Sequence, residues 1–188
     1  MFIFDIETCD TESTAVVLSA GMVYVNPNES YEELIKNGIF VKFDSKEQIQ
    51  KYNRTVSKDT MDWWAKQCDQ AKQFALYPHE NDVPALTGIQ LIKDWMKNKT
   101  PNPENEQIFI RGSLDQMVFD SLCRAVGVER ITSYNMYRDV RTAIDLLHST
   151  AKNGYCEVKF DGFNRDNVLK HHPTADCALD AMMIVHGV

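Results

Sequence analysis

Acidic side chains at three places in the chain, with a histidine pair beside the last, have the types and spacing to do chemistry together. The first place is the N-terminal run Phe2-Ile3-Phe4-Asp5-Ile6-Glu7-Thr8. Its apolar residues predict a strand, broken only by the two acids. Side chains on a strand alternate faces, so Asp5 and Glu7 share one face, within about 7 Å of each other. Carboxylates that close repel, and half-burying them without a partner costs several kcal/mol. A divalent cation removes that cost, and Mg²⁺ or Mn²⁺ favours carboxylate oxygen. Taken alone, an Asp-x-Glu pair more often marks a strand end that has run out into solvent.

The second place is Asp115, just after Gly112-Ser113-Leu114. It falls at a predicted strand-to-helix junction, where an α/β sheet presents its functional edge. In isolation it reads as an acid favoured by the helix dipole. The third is Asp176 with Asp180, four apart and so on one helix face, preceded by His171 and His172. A continuous helix would splay His171 and Asp176 by about 140°. They converge only if His171 lies in the loop ahead of Pro173, which biases His172 toward extended geometry.

The elements that must position these residues follow from periodicity and breakers. Phe2–Thr8, Ala15–Val25 and Gly38–Phe43 read as three strands with short connections, an antiparallel meander. Helices are expected from Lys58 to Cys68 behind a Ser57 cap, from about Leu86 to Asn98, and from Leu114 to Val126, ended by Gly127. Gln107–Arg111 and Tyr134–Tyr137 supply two further strands. Asp139 caps a helix at Val140–Leu147, and Pro173 opens a last one to about His186. The passages from Gln70 to Pro84 and from His148 to Lys170 read as irregular. The expected class is α/β, a mixed sheet of three antiparallel strands followed by two parallel ones, flanked by helices.

With 188 residues, 44% of them hydrophobic, the chain suits one domain over residues 1–188. No stretch approaches the roughly 20 apolar residues of a membrane span, and no leader pattern is present. Five scattered cysteines without a Cys-x-x-Cys pair fit free thiols in a reducing cytoplasm. A net charge of −7 argues against a protein that coats nucleic acid with a broad basic face. It is compatible with an enzyme that grips one chain end and neutralises phosphate through metal.

Together, Asp5-x-Glu7, Asp115 after its Gly-Ser turn, and His171 five before Asp176 resemble the DEDDh 3′-5′ exonucleases. This superfamily contains RNase T, oligoribonuclease and proofreading exonucleases. The likeness spans nearly the whole chain. Ala15 to Gly21, Thr60 to Gln67 and Tyr137 to Thr142 are similar to a subset typified by phage exonuclease A and a mycobacterial exoribonuclease. The resemblance implies an RNase H-like fold and two Mg²⁺ or Mn²⁺ ions held by Asp5, Glu7, Asp115 and Asp176. It implies His171 as the base, since the spacing to Asp176 selects it over His172. Relatives commonly carry Ala where this chain has Pro173.

The implied substrate is a single-stranded RNA or DNA 3′ end, with nucleoside 5′-monophosphates as products and RNA slightly favoured. Thr8 and Thr11 are candidates to meet the terminal sugar, Trp63 to stack on a base, and Lys170 to meet phosphate. The alternatives are a phage-type exonuclease for single-stranded DNA, or an inactive RNase H-like binding module. Oligomeric state stays open, a homodimer among the options.

Overall fold

A computed structural model describes residues 1–188. A five-stranded sheet is ordered β3-β2-β1-β4-β5, with β1 at Phe2–Thr8, β2 at Val17–Tyr24, β3 at Ile39–Lys42, β4 at Ile108–Ile110 and β5 at Tyr137–Asp139. β1 and β3 each pair antiparallel with β2, whereas β4 runs parallel to both β1 and β5. This is the mixed α/β sheet of an RNase H-like fold.

The alternation of β1 places its residues as their chemistry requires. Phe2, Phe4 and Ile6 enter one core with Phe119, Ile89 and Ile92. Ile3 points to the other face, into a core with Ala178, Ala181 and Met182. Asp5 and Glu7 therefore share the second face. Each fully buried Phe or Ile gains about 1.5–3 kcal/mol. Three of them hold β1 in place against the several kcal/mol that crowded carboxylates opposite would cost.

The first core is closed by α5 (Ala85–Lys99) and α6 (Leu114–Val126). The second is closed by α1 (Tyr31–Asn37), α7 (Val140–Leu147) and α8 (Pro173–His186). Gly21, paired with Asp5 across β1 and β2, lets α8 come close. A Cβ at Gly21 would lie 2.1 Å from the backbone nitrogen of Thr174. Glycine there seats the first turn of α8, and with it Asp176, against the sheet beside β1. Thr174 Oγ1 fastens the same turn by donating to the Ile39 carbonyl at 2.7 Å.

The expected bounds hold for α6, α7 and α8. Three short helices were not expected: α1, α2 (Ser45–Tyr52) and α4 (Asp69–Phe74), the last within a passage read as irregular. The connection between β2 and β3 therefore carries a helix. Caps rather than apolar stripes define two of these helices. Ser30 and Glu33 form a capping box on α1, and Asp44 accepts two amides at the start of α2. The intervening α3 is shorter than expected, Lys58–Ala65. The fifth strand is Tyr137–Asp139, and Tyr134–Met136 is a single 3₁₀ turn leading into it.

Candidate active site

Asp5, Glu7 and Asp176 each present a carboxylate oxygen within 4.8 Å of the others. β1 supplies the first two, and the first turn of α8 supplies the third. Asp115 is buried in the first turn of α6, outside that close trio. It is nonetheless the neighbouring charge that acts most strongly on Asp5. The Gly112 turn ahead of it is held from β5, since the Gly112 amide donates to Asp139 Oδ2 at 2.9 Å. The other oxygen of Asp139 caps α7 through Thr142. One aspartate thus ties the turn preceding Asp115 to the Tyr137–Thr142 passage.

His171 lies in the loop ahead of α8 and its Nδ1 is 3.3 Å from Glu7 Oε1. Its backbone is left-handed, φ 57, a conformation that costs a histidine free energy and turns its ring back over the acids. His172 goes elsewhere. It is the N-cap of α8, its Nδ1 3.4 Å from the Ala175 amide, and its ring stacks on Phe40 at 4.5 Å.

The charges are held at high electrostatic cost. Burial, then Asp115, Glu7 and Asp176, raise the Asp5 carboxyl well above the ordinary range. Burial and Glu7 push Asp115 up to about 8, against the pull of nearby backbone amides. Burial and Glu7 push Asp176 up to about 7, opposed by His171. The hydrogen bond to Glu7 raises His171, outweighing burial, whereas burial lowers His172. Such a cluster is what an oxygen-coordinated divalent cation relieves.

A cleft of about 270 Å³ opens onto Asp5, Glu7, His171 and Asp176 and is also lined by Arg111, Tyr155, Lys170 and Asp180. Arg111 was not singled out from sequence as a site residue, and Asp180 only as a neighbour of Asp176 on one helix face. Arg111 Nε lies 3.0 Å from both oxygens of Asp180, and its Nη2 lies 2.7 Å from Oδ1. Asp180 is therefore committed to the arginine, although it shares a helix face with Asp176. Asp120, further along α6, is buried and paired with Arg130 at 3.3 Å. The signal for Arg111 was a cationic residue directly ending a strand of three apolar ones.

The remaining candidates separate. Thr8 is buried and its hydroxyl donates to the Asp10 carbonyl at 2.7 Å, so that hydroxyl is engaged within the loop. Thr11 and Lys170 are exposed, and Lys170 lines the cleft. Trp64 is fully buried, its Nε1 donating to the Thr8 carbonyl at 2.9 Å. Trp63 is 42% exposed and meets the His171 ring edge-on at 5.0 Å.

A phage T4 protein named exodeoxyribonuclease is 28% identical over an alignment of 208 positions, which covers the whole of this chain and 88% of the relative. Residues 1–187 match the family described as the 3′-5′ exoribonuclease Rv2179c-like domain. With the match running over almost its entire length, the chain belongs to the Rv2179c-like 3′-5′ exoribonuclease domain family.

Proposed function

We propose that this protein, read as one domain over residues 1–188, hydrolyses single-stranded nucleic acid from its 3′ end. The products are nucleoside 5′-monophosphates, and RNA is slightly favoured over DNA. The observation that carries the reading is the close trio of Asp5, Glu7 and Asp176, with Asp115 beside it and no Lys or Arg among its ion pairs. A group of carboxylates gathered this way opposes folding when no cation is bound and suits two Mg²⁺ or Mn²⁺ ions. Asp5, central in the group, would hold them, together with Glu7, Asp115 and Asp176. When bound, the pair of ions would supply charge stabilisation for in-line displacement at phosphorus.

The protein's own residues do the rest. His171 takes the proton from the attacking water, and Glu7 holds its ring in reach of the reacting centre. Trp63 offers an exposed face for a base next to the reacting centre, and Thr11 and Lys170 contact the sugar and phosphate at the rim. The Thr8 hydroxyl is already bonded, so Thr8 contributes through its backbone. Unpaired thiols at all five cysteines support work in a reducing cytoplasm. An inactive binding module is disfavoured, because such a module would gain stability by shedding these acids.

A DNA-directed reading is favoured by the T4 relative, whose name is exodeoxyribonuclease. One experiment tests both readings: matched 5′-labelled RNA and DNA oligonucleotides incubated with Mg²⁺, with Mn²⁺ and with excess chelator. A ladder shortening one nucleotide at a time from the 3′ end, absent in chelator and faster on RNA, is expected. Faster DNA degradation would move the substrate to the alternative. Internal cuts, or full activity in chelator, would overturn the mechanism.

A further inference from the structure

The rim of the cleft carries a second aromatic ring, Tyr155, which the mechanism above leaves unused. Three features fix it in place. Lys152 and Tyr155 exchange backbone hydrogen bonds of 2.9 and 3.1 Å across Asn153 and Gly154, both of positive φ (54 and 74). That is a type I′ turn, the tight Asn-Gly hairpin connection. Gly154 is also wedged against α7, because a Cβ there would lie 2.4 Å from Arg141 Cβ. Finally, Arg111 lies under the ring at 4.3 Å from its centroid. Asp180 holds that guanidinium on two of its nitrogens, and the Gly154 carbonyl accepts from Nη2 at 3.0 Å. The third nitrogen, Nη1, is buried with no hydrogen-bond partner.

This is much structure for a ring that contributes little to the core. Tyr155 is 47% exposed and sits outside every apolar cluster. A ring held rigidly over a cation, with half its surface in water, is pre-organised to stack on a flat partner. It also lies on a different side of β1 from Trp63. Arg111 continues β4, whereas Trp63 meets the edge of Trp64, which is buried with Cys9, Val16 and Leu18 toward β2. The two aromatic surfaces therefore flank the acidic group along the sheet order.

We propose that Tyr155 is the stacking platform for the nucleobase on the 5′ side of the scissile phosphate, with Arg111 and Asp180 as its positioning residues. The assignment rests on the exonuclease reading and on Trp63 serving the terminal nucleotide. It makes Tyr155 a determinant of how the enzyme grips an oligonucleotide.

The test compares Tyr155→Ala and Tyr155→Phe on oligonucleotides and on a nucleoside 5′-(p-nitrophenyl phosphate), which has no upstream base. Loss of one stacked base raises KM about 5- to 150-fold. For Tyr155→Ala that loss is expected on oligonucleotides, with kcat little changed and a far smaller penalty on the ester. Tyr155→Phe, which keeps the ring, should restore KM. In parallel, 2-aminopurine is placed at the penultimate or the terminal position and bound with Ca²⁺. Its fluorescence should be quenched at the penultimate position in wild type and Tyr155→Phe and recover in Tyr155→Ala. Equal losses on ester and oligonucleotide, a Phe variant as poor as Ala, or quenching indifferent to residue 155 would overturn the proposal. Wild type that quenches the probe but hydrolyses neither substrate would leave the platform standing and overturn the exonuclease reading instead.

Discussion

Asp5→Asn is expected to move activity and stability in opposite directions. The substitution keeps the shape and removes one charge from the crowded face of β1. Without metal, Asp5 is raised by its own burial and by the Asp115, Glu7 and Asp176 carboxylates. Removing it relieves all of them, so the variant should melt several degrees higher in chelator, at about 2–4 °C per kcal/mol for a chain of this size. Turnover should fall about 100-fold or more, since several kcal/mol of transition-state stabilisation is lost. The pH dependence has a definite sign. A carboxyl raised on folding keeps its stability below its unfolded value of about 4 and loses it as pH rises through the folded one. Wild type in chelator should therefore weaken as pH climbs through about 7 for Asp176 and about 8 for Asp115. The variant should show a shallower loss. A lower melting temperature for Asp5→Asn in chelator would contradict the account.

Replacing His171 should cost about 10²–10⁴-fold in turnover, the range for a positioned general base. Because φ is 57 at this position, Asn is the better probe, tolerating left-handed backbone while offering no base. Ala tests the same loss with backbone strain retained. The hydrogen bond to Glu7 raises the His171 value, so the imidazolium persists to higher pH than in a free histidine. The His171–Glu7 pair consequently stabilises the metal-free fold fully below pH of about 6.5 and loses that contribution as pH rises through the raised value. Activity should run the other way, with an acid limb that disappears in both variants. His172→Ala should cost less than about tenfold, because its ring caps α8 and stacks on Phe40. A surviving acid limb without His171, or a crippled His172 variant, would reverse the assignment.

What was legible in the sequence was local. The two-residue period of β1 puts Asp5 and Glu7 on one face whatever surrounds them. Strong terminal signals bound α6 to α8: left-handed Gly127, the Asp139 cap and Pro173. α1 and α2 were missed because they are short and mostly polar, and hydrophobic periodicity is silent on such segments. The fifth strand, expected at Tyr134–Tyr137, lies at Tyr137–Asp139 instead, because Tyr137-Arg138-Asp139 is polar and turns at once into α7. Contacts between distant residues were legible only where the resemblance named the partners. Arg111 and Asp180 are 69 positions apart, so neither announces the other. The role of Gly21 shows only once α8 is laid against it. The left-handed backbone that turns His171 back over Glu7 likewise depends on where the loop is anchored.

The central claim is that Asp5, Glu7, Asp115 and Asp176 hold two cations side by side. Electron paramagnetic resonance of the protein titrated with Mn²⁺, with a nucleoside 5′-monophosphate present, tests it most directly. Ions sharing a carboxylate at about 3.5–4 Å couple their spins. The account predicts a spin-coupled dinuclear signal that grows to two equivalents of Mn²⁺ and is lost in Asp5→Asn. Isolated mononuclear signals at saturation, or a coupled signal that survives Asp5→Asn, would contradict it.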